Sequence, residues 1–579
     1  MNVISPVSSA PCAFKGCRGF FYPGMADTGV VLCPPWGLEE LATRAAWQRL
    51  AEAIAAAGYP CLRFDYPGTG ASLGSMTSIA DVAQWTQAAG AAAGFLRAYS
   101  GVKQFVFIGQ SLGAAVAMEA TAQRLDVASL ILIAPAANGA AYARGLLALA
   151  ENARESMGLD LSGYSLSAPM LESLERLDPL KSGTGGLKNA VVFDRADRKA
   201  GANVSEHFRR HGLASSLEII PPYRGASLGA RALDALPAAI ESIVAALVKC
   251  HPPGERTSLP RLPCLPATLR AASFREEPLP AGPDGRFRGL LCQPAHPVAT
   301  QPVLILLDEG LTPRMGWRRM AVDLTRALAA SGHASLRLDI QGAEGEALSR
   351  IIGHAVEVLE SRGASGIALA ALGPSAGFAL AALDRRITHV IAVDATNLAA
   401  DRAADMISDS ASSLFALVTG ETLPQPSRLH PGDERTLFFQ DLAAAAQHHG
   451  RRTIRDRAKN LLQQGRARLK ASLPAAIRAL ILRDPGPARV RRLFAGLAQA
   501  GTRVSLVYSG EPASLRELAS YFGRLGRRLD SPGCTIWLMP GDSQNPTAPE
   551  AASWLLDHFI DIAHEMSRQP AQVDRQAAA

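Results

Sequence analysis

The chain has 579 residues, too many for one hydrophobic core, so two or three domains are expected. Hydrophobic residues make up 48% and charged residues 19%, which excludes a disordered chain. A net charge of +7 over this length, with 6% aromatic residues, gives neither the electrostatic footprint nor the base-stacking surface of a nucleic-acid binder.

Residues 1–11 hold no basic stretch followed by an apolar one, so no signal peptide is expected. No uncharged apolar run nears the roughly 18–20 residues of a membrane span, and a cytoplasmic location follows as the expectation. The eight cysteines (Cys12, Cys17, Cys33, Cys61, Cys250, Cys264, Cys292 and Cys534) form no Cys-x-x-Cys pair. They read as free thiols in a reducing compartment, with no metal site.

A buried strand is expected at 29–33, then a helix over 43–57 that Gly58 ends. A strand at 61–64 leads into a Gly-rich turn and a helix near 79–98. The apolar strand 104–108 runs into Gly109-Gln110-Ser111-Leu112-Gly113, where a long Ala-rich helix starts, and a strand at 129–134 follows. This alternation predicts an α/β fold, a mostly parallel sheet with helices on both faces. Residues 138–187 exceed a simple connection and are partly helical, a small cap. Strands at 190–193 and 217–220, each followed by a helix, close a first domain over 1–250. Pro252, Pro253, Pro260, Pro263 and Pro266 mark a stiff linker over 251–267.

The second half repeats the first. Leu62-Arg63-Phe64-Asp65-Tyr66-Pro67-Gly68 answers to Leu336-Arg337-Leu338-Asp339-Ile340-Gln341-Gly342, an offset of 274 residues. The same offset carries Arg44 onto Arg318, Leu50 onto Leu324, Gly58 onto Gly332, and Val30-Val31-Leu32-Cys33 onto Leu304-Ile305-Leu306-Leu307. A second domain is expected over 268–566, with a larger cap over 397–472 and a disordered tail over 567–579. The expected fold class is therefore two α/β domains in tandem, each with a helical cap.

Gly-x-Ser-x-Gly between an apolar strand and a helix is the signature of a nucleophile elbow. The serine sits on a tight, strained turn, the glycines let neighbouring chains pass close, and the helix N-terminus aims N–H groups at a developing oxyanion. Ser111 has this whole context. A second oxyanion donor is expected from Pro34-Pro35-Trp36-Gly37; the prolines have no N–H, which leaves Trp36 to act with Leu112. Trp36 as a plain core aromatic fits the same residues. In such a fold the order is serine, acid, histidine, which puts the acid after the strand 190–193, at Asp197, with Asp194 as the alternative. The histidine is missing: Pro221-Pro222-Tyr223-Arg224-Gly225-Ala226-Ser227-Leu228-Gly229 holds none. His207 and His211, on the helix after Asp197, and His251, at the start of the linker, are the alternatives. Without a base, a serine hydroxyl is a poor nucleophile near neutral pH.

In the second half, Gly373-Pro374-Ser375-Ala376-Gly377 reads as a degenerate elbow around Ser375. Glu511 stands at the acid position, and Gln544 or a neighbour stands where the base belongs. Glutamine does not titrate, so this half is expected to be non-catalytic. Asp65 and Asp339 are expected to hold the loops that follow them by side-chain-to-backbone hydrogen bonds. Arg451, Arg452, Arg455, Arg457, Lys459, Arg466, Arg468 and Lys470, with Leu461, Leu462 and Leu469 among them, form a basic helical stretch. It reads as a solvated face or as a peripheral contact with an anionic membrane or an acidic carrier protein.

Leu32-Cys33-Pro34-Pro35-Trp36-Gly37, Leu62-Arg63-Phe64-Asp65-Tyr66-Pro67-Gly68-Thr69-Gly70 and Gly109-Gln110-Ser111-Leu112-Gly113 together resemble serine aminopeptidase-like (S33-type) α/β-hydrolases. More narrowly, the chain looks like bacterial hydrolase-like proteins associated with exopolysaccharide or exosortase loci. In the second half, the Leu336 run, the 373–377 motif and Leu506-Val507-Tyr508-Ser509-Gly510 resemble the same broad group. The resemblance implies ester, thioester or amide hydrolysis, or acyl transfer, with no cofactor. It makes Ser111 the nucleophile and Asp197 the acid, and finds no match for the histidine. The narrower resemblance implies a small acyl-bearing substrate on a sugar or carrier protein.

Overall fold

The computed structural model describes residues 9–122, 124–136, 138–149, 158–161, 164–194, 199–220, 236–254, 265–280, 289–297, 301–307, 319–340, 345–373, 376–377, 380, 384–395, 486–508, 515, 518–519, 521–522, 533–539 and 549–568. These divide into two compact units, one ending at residue 269 and one beginning at residue 270.

The first unit opens on a hairpin, β1 (Ala10–Phe14) and β2 (Cys17–Tyr22), paired antiparallel with Cys12 opposite Gly19. Lys15 and Gly16 take positive φ (46° and 79°) in the turn between them, as a two-residue hairpin requires. Sequence reasoning passed over this hairpin because neither strand has a β-branched residue. Then come β3 (Thr28–Cys33), α1 (Leu38–Ala56), β4 (Cys61–Phe64), α2 (Ala83–Ser100), β5 (Gln104–Gln110), α3 (Leu112–Ala122) and β6 (Val127–Ile133). A cap follows: α4 (Gly139–Leu149), the antiparallel pair β7 (Gly158–Leu161) and β8 (Tyr164–Ser167), and α5 (Ala168–Arg176). β9 (Asn189–Asp194), α6 (Ala200–Arg210), β10 (Ala214–Ile219) and α7 (Leu236–Cys250) complete the unit. Helix α1 starts five residues before the expected 43, because Gly37 at φ 72° turns the chain into it and Glu39 and Glu40 suit its positive end.

The sheet order is β1-β2-β4-β3-β5-β6-β9-β10, parallel from β4 onward. Side chains alternate across it. Phe105 and Phe107 join a core with α2, α3 and α6, whereas Val106 and Ile108 join one with α1 and α7. Burial on both faces is why β5 and β6 read as continuous apolar runs.

After β11 (Leu269–Arg270), which straddles the boundary, the second unit contains β12 (Phe274–Leu279), β13 (Gly289–Pro294), β14 (Gln301–Leu307), α8 (Met320–Ala330), β15 (Ala334–Leu338), α9 (Gly345–Ser361), β16 (Ala364–Leu372), β17 (Ile387–Val393), α10 (Gly486–Gln499), β18 (Arg503–Tyr508), β19 (Cys534–Leu538) and α11 (Pro549–Arg568). Its sheet runs β11-β12-β13-β15-β14-β16-β17-β18-β19. Past the two-residue β11, this is the order of the first sheet, with β15 likewise crossing over to the far side of β14. Both units thus have the mostly parallel α/β-hydrolase arrangement. The basic stretch from Arg451 to Lys470, the larger cap and the tail from 569 lie outside the described residues, as does 255–264 of the linker. Among the described residues no helix is long and apolar enough to cross a membrane.

Candidate active site

Ser111 stands where β5 passes into α3, with φ at 52°. A non-glycine residue held there stores roughly 1–3 kcal/mol of strain, which its surroundings must hold in place. They do so through the backbone: its N–H donates to Ile133 O (3.0 Å), and its carbonyl accepts from the N–H groups of Ala114 and Ala136 (3.1 Å each). The flanking glycines are obligatory. A Cβ on Gly109 would lie 2.5 Å from Gly113 O, and one on Gly113 would lie 2.2 Å from Pro34 O and 2.3 Å from Cys33 O.

That close approach brings the loop after β3, which carries Trp36, against the first turn of α3. Leu112 opens this helix, where N–H groups lack intrahelical acceptors. The Trp36 ring is buried in the core, which is the place of a packing aromatic. Gln110, just before Ser111, accepts a hydrogen bond from Trp47 Nε1 (2.9 Å) and donates one to Glu39 Oε1 (3.3 Å). Neither partner was visible in the sequence, where Glu39 falls before the helix expected over 43–57 and Trp47 falls within it. Burial, and then the charge of Glu39, push the Tyr142 phenol of cap helix α4 above its ordinary range.

Asp197 lies outside the described residues. Asp194 ends β9 at the same end of the sheet as Ser111; it is buried, and its Oδ2 accepts the Gly201 N–H (2.7 Å) at the start of α6. Asp65 holds the Gly-rich loop: Ala71 N–H donates to its Oδ2 (2.9 Å) and Arg44 to its Oδ1 (3.0 Å). Burial pushes the Asp65 carboxyl up, but Arg44 and the Ala71 N–H outweigh it and hold the group below its usual range.

The three histidine alternatives are corrected by position. Helix α6 begins beside Asp194 and runs back down the sheet at about 1.5 Å per residue, which carries His207 and His211 to the far end, where β10 begins. There the two rings lie 4.3 Å apart, and His211 Nδ1 bonds His207 O (2.9 Å). His251 is engaged with another serine: its Nε2 lies 2.6 Å from Ser129 Oγ. Ser129 pairs in register with Val106, five residues before Ser111, or about 16 Å along the strand at roughly 3.3 Å per residue. Among the described residues of the first unit, no imidazole stands at Ser111's end of the sheet.

The buried His251 has a measurable consequence. Burial, with the nearby Lys188, holds its imidazole below the ordinary range. Between the unfolded value of about 6.5 and the lower folded one, only the unfolded chain takes up the proton. The stabilisation is therefore complete above about pH 6.5 and is lost as pH falls through the folded value. The melting temperature of wild type should drop more between about pH 7.5 and 5 than that of His251→Gln, which keeps a partner for Ser129 but cannot titrate. Equal drops would refute the assignment.

In the second unit the turn after β16 is built the same way around a different residue. Gly373 takes φ 57°, its N–H donates to Val393 O (2.7 Å), and its carbonyl accepts from Ala376 (3.1 Å). The neighbouring strands also end alike: Ala134 (φ 44°) donates to Phe193 O, and Asp394 (φ 45°) to Val507 O. Gly373 therefore holds Ser111's place, two residues before Ser375. The sequence motif misled because the turn falls where the last ladder bond of the strand falls, not where two glycines bracket a serine. Ser375, Glu511 and Gln544 themselves lie outside the described residues.

Among the described residues no group of three His, Cys, Asp or Glu could hold a metal ion. Seven of the cysteines are described, all as free thiols; burial pushes those of Cys12, Cys17 and Cys33 up to about 12.

No match was found among curated proteins. Solved structures similar to the chain include Est1E from Butyrivibrio proteoclasticus (14% identity, 42% of this chain and 98% of that one, TM-score 0.31). Others are the alpha/beta hydrolase GrgF from Penicillium sp. sh18 (18%, 42% and 96%, 0.32) and alpha/beta hydrolase domain-containing protein 10 from mouse (16%, 42% and 99%, 0.30). Residues 30–178, which hold the turn at Ser111, the loop after β3 and most of the cap, match the family model of serine aminopeptidase, S33.

Proposed function

We propose that the first unit is a serine hydrolase or acyltransferase acting on an ester, thioester or amide through Ser111. The observation that carries this reading is the strained Ser111 backbone, held at φ 52° between two glycines that admit no side chain. Ser111 Oγ attacks the carbonyl carbon, and the N–H groups of Leu112 and Trp36 receive the oxyanion. The alcohol, thiol or amine leaves with a proton, and water or an acceptor hydroxyl then releases the acyl group. Asp197 is the proposed acid. The substrate is a small acyl group, on a sugar or carrier protein, and the basic stretch from Arg451 to Lys470 is the proposed peripheral contact.

The second unit is proposed as a non-catalytic copy of the same fold, the two forming a tandem repeat. Supporting this are Gly373 at the nucleophile position and Pro374 after it, where Leu112 stands in the first unit; proline has no N–H to offer an oxyanion. The positions of His207, His211 and His251 favour a second reading, in which both folds are kept as a binding scaffold.

Labelling with a fluorophosphonate probe separates the two. Wild type and Ser375→Ala should label, and Ser111→Ala should not. Folded wild type that neither labels nor cleaves short acyl esters would establish the scaffold instead.

A further inference from the structure

The backbone of the proposed oxyanion hole comes from two separate segments, the loop after β3 and the first turn of α3. On one side they are pressed together by Gly113 against Cys33 and Pro34. They are also joined by the side chain of Gln110, which reaches from the elbow to Glu39 in the first turn of α1, three residues beyond Trp36. Its amide oxygen accepts from Trp47 Nε1, about two turns further along α1. Gln110 is 4% exposed and Trp47 likewise, so the bond between them is made away from solvent, where geometry is held more firmly than at the surface, while the bond to the half-buried Glu39 is partly buried.

We propose that Gln110 is a positioning residue for the oxyanion hole, fastening the α1 end of the loop that carries Trp36 to the turn that carries Ser111 and Leu112. This rests on the serine hydrolase reading above.

The second unit supplies an internal comparison. Leu372 precedes Gly373 as Gln110 precedes Ser111. The helix and strand around position 47 repeat at the offset of 274, since Tyr59 N–H donates to Ile54 O and His333 N–H to Leu328 O. At that offset Ala321 replaces Trp47 and Pro313 replaces Glu39. Where the nucleophile's place is taken by glycine, all three members of the hydrogen-bonded chain are gone together. A role in packing alone would not require the donor, the middle amide and the acceptor to be lost as a set.

The test compares wild type with Gln110→Leu, the second unit's residue, and Trp47→Phe, which keeps an aromatic ring at the site but loses the N–H donor together with the five-membered ring that carries it. Fluorophosphonate labelling of Ser111 is followed against probe concentration. The maximal labelling rate should fall about 10- to 100-fold in Gln110→Leu and less in Trp47→Phe, while the half-saturating concentration stays near its wild-type value. The double variant should be no slower than Gln110→Leu, because both changes cut one chain. In parallel, amide hydrogen exchange over residues 36–41 should speed up in both variants, with the strands unchanged. Maximal rates equal to wild type, or a loss expressed only in half-saturation, would overturn the proposal. Should wild type itself not label, the hydrolase reading fails separately, and the exchange result still decides whether Gln110 fixes the loop: unchanged exchange over 36–41 sinks it.

Discussion

Gly113→Ala should destabilise the first unit by about 3 kcal/mol and abolish labelling of Ser111, although it adds a single methyl group. The new Cβ would sit 2.2 Å from one carbonyl oxygen and 2.3 Å from another, both on the backbone after β3. No rotamer change relieves a clash with main chain, so either the loop that carries Trp36 retreats or α3 is displaced from β5. Either movement separates the two donors proposed for the oxyanion, and a misplacement of about 1 Å can cost on the order of 100-fold in rate. Gly94→Ala is the control. Gly94 lies within α2 with nothing within 4 Å of its would-be Cβ, so the same added methyl should stabilise by about 0.5–1 kcal/mol. Denaturant unfolding followed by near-ultraviolet signal reads both; a Gly113→Ala protein as stable and as reactive as wild type would contradict the close approach described here.

Glu276→Leu should cost the second unit about 3–5 kcal/mol. Glu276 is fully buried on β12. Its carboxylate takes Arg326 of α8 in a forked pair, Nε to Oε1 at 3.0 Å and Nη2 to Oε2 at 2.9 Å, and Arg337 of β15 by Nη2 to Oε1 at 2.9 Å. Arg337 is 1% exposed and its Nε and Nη1 have no hydrogen-bond partner, so Glu276 is what neutralises it. Removing the carboxylate leaves two guanidinium groups in a low-dielectric interior with their desolvation uncompensated. The loss should appear as faster amide exchange across β12, β13 and β15, with β5 and β6 of the first unit unaffected. The triple change Glu276→Leu, Arg326→Met, Arg337→Leu should recover most of it, because a buried ionic cluster can be exchanged for apolar side chains at little net cost, whereas one removed partner cannot. Unchanged exchange in the single variant would show that the cluster carries no such energy.

The strands of the first sheet were legible because burial on both faces writes them as apolar runs: 61–64 is found as expected, and the strand expected at 104–108 extends two residues further, to Gln110. The β1–β2 hairpin was not, since its signal lies in the positive φ of Lys15 and Gly16 rather than in any run of strand formers. Ser111 was legible because strand, glycines and helix sit within ten residues of one another, and local chemistry suffices to define an elbow. Glu39 and Trp47 escaped notice because their meaning comes from Gln110, which is 71 and 63 residues away in the chain.

From its own residues the sequence determines the alternation of strands and helices, the elbow at Ser111 and the absence of histidine from 221–235. These are matters of periodicity, spacing and identity, which are properties of the chain read in order. Only the tertiary structure decides that His207, His211 and His251 stand at the wrong end of the sheet, and that Gly373 rather than Ser375 holds the second turn. The reason is that helix direction and ladder register set where a side chain arrives, and both are fixed by pairing between segments far apart in sequence.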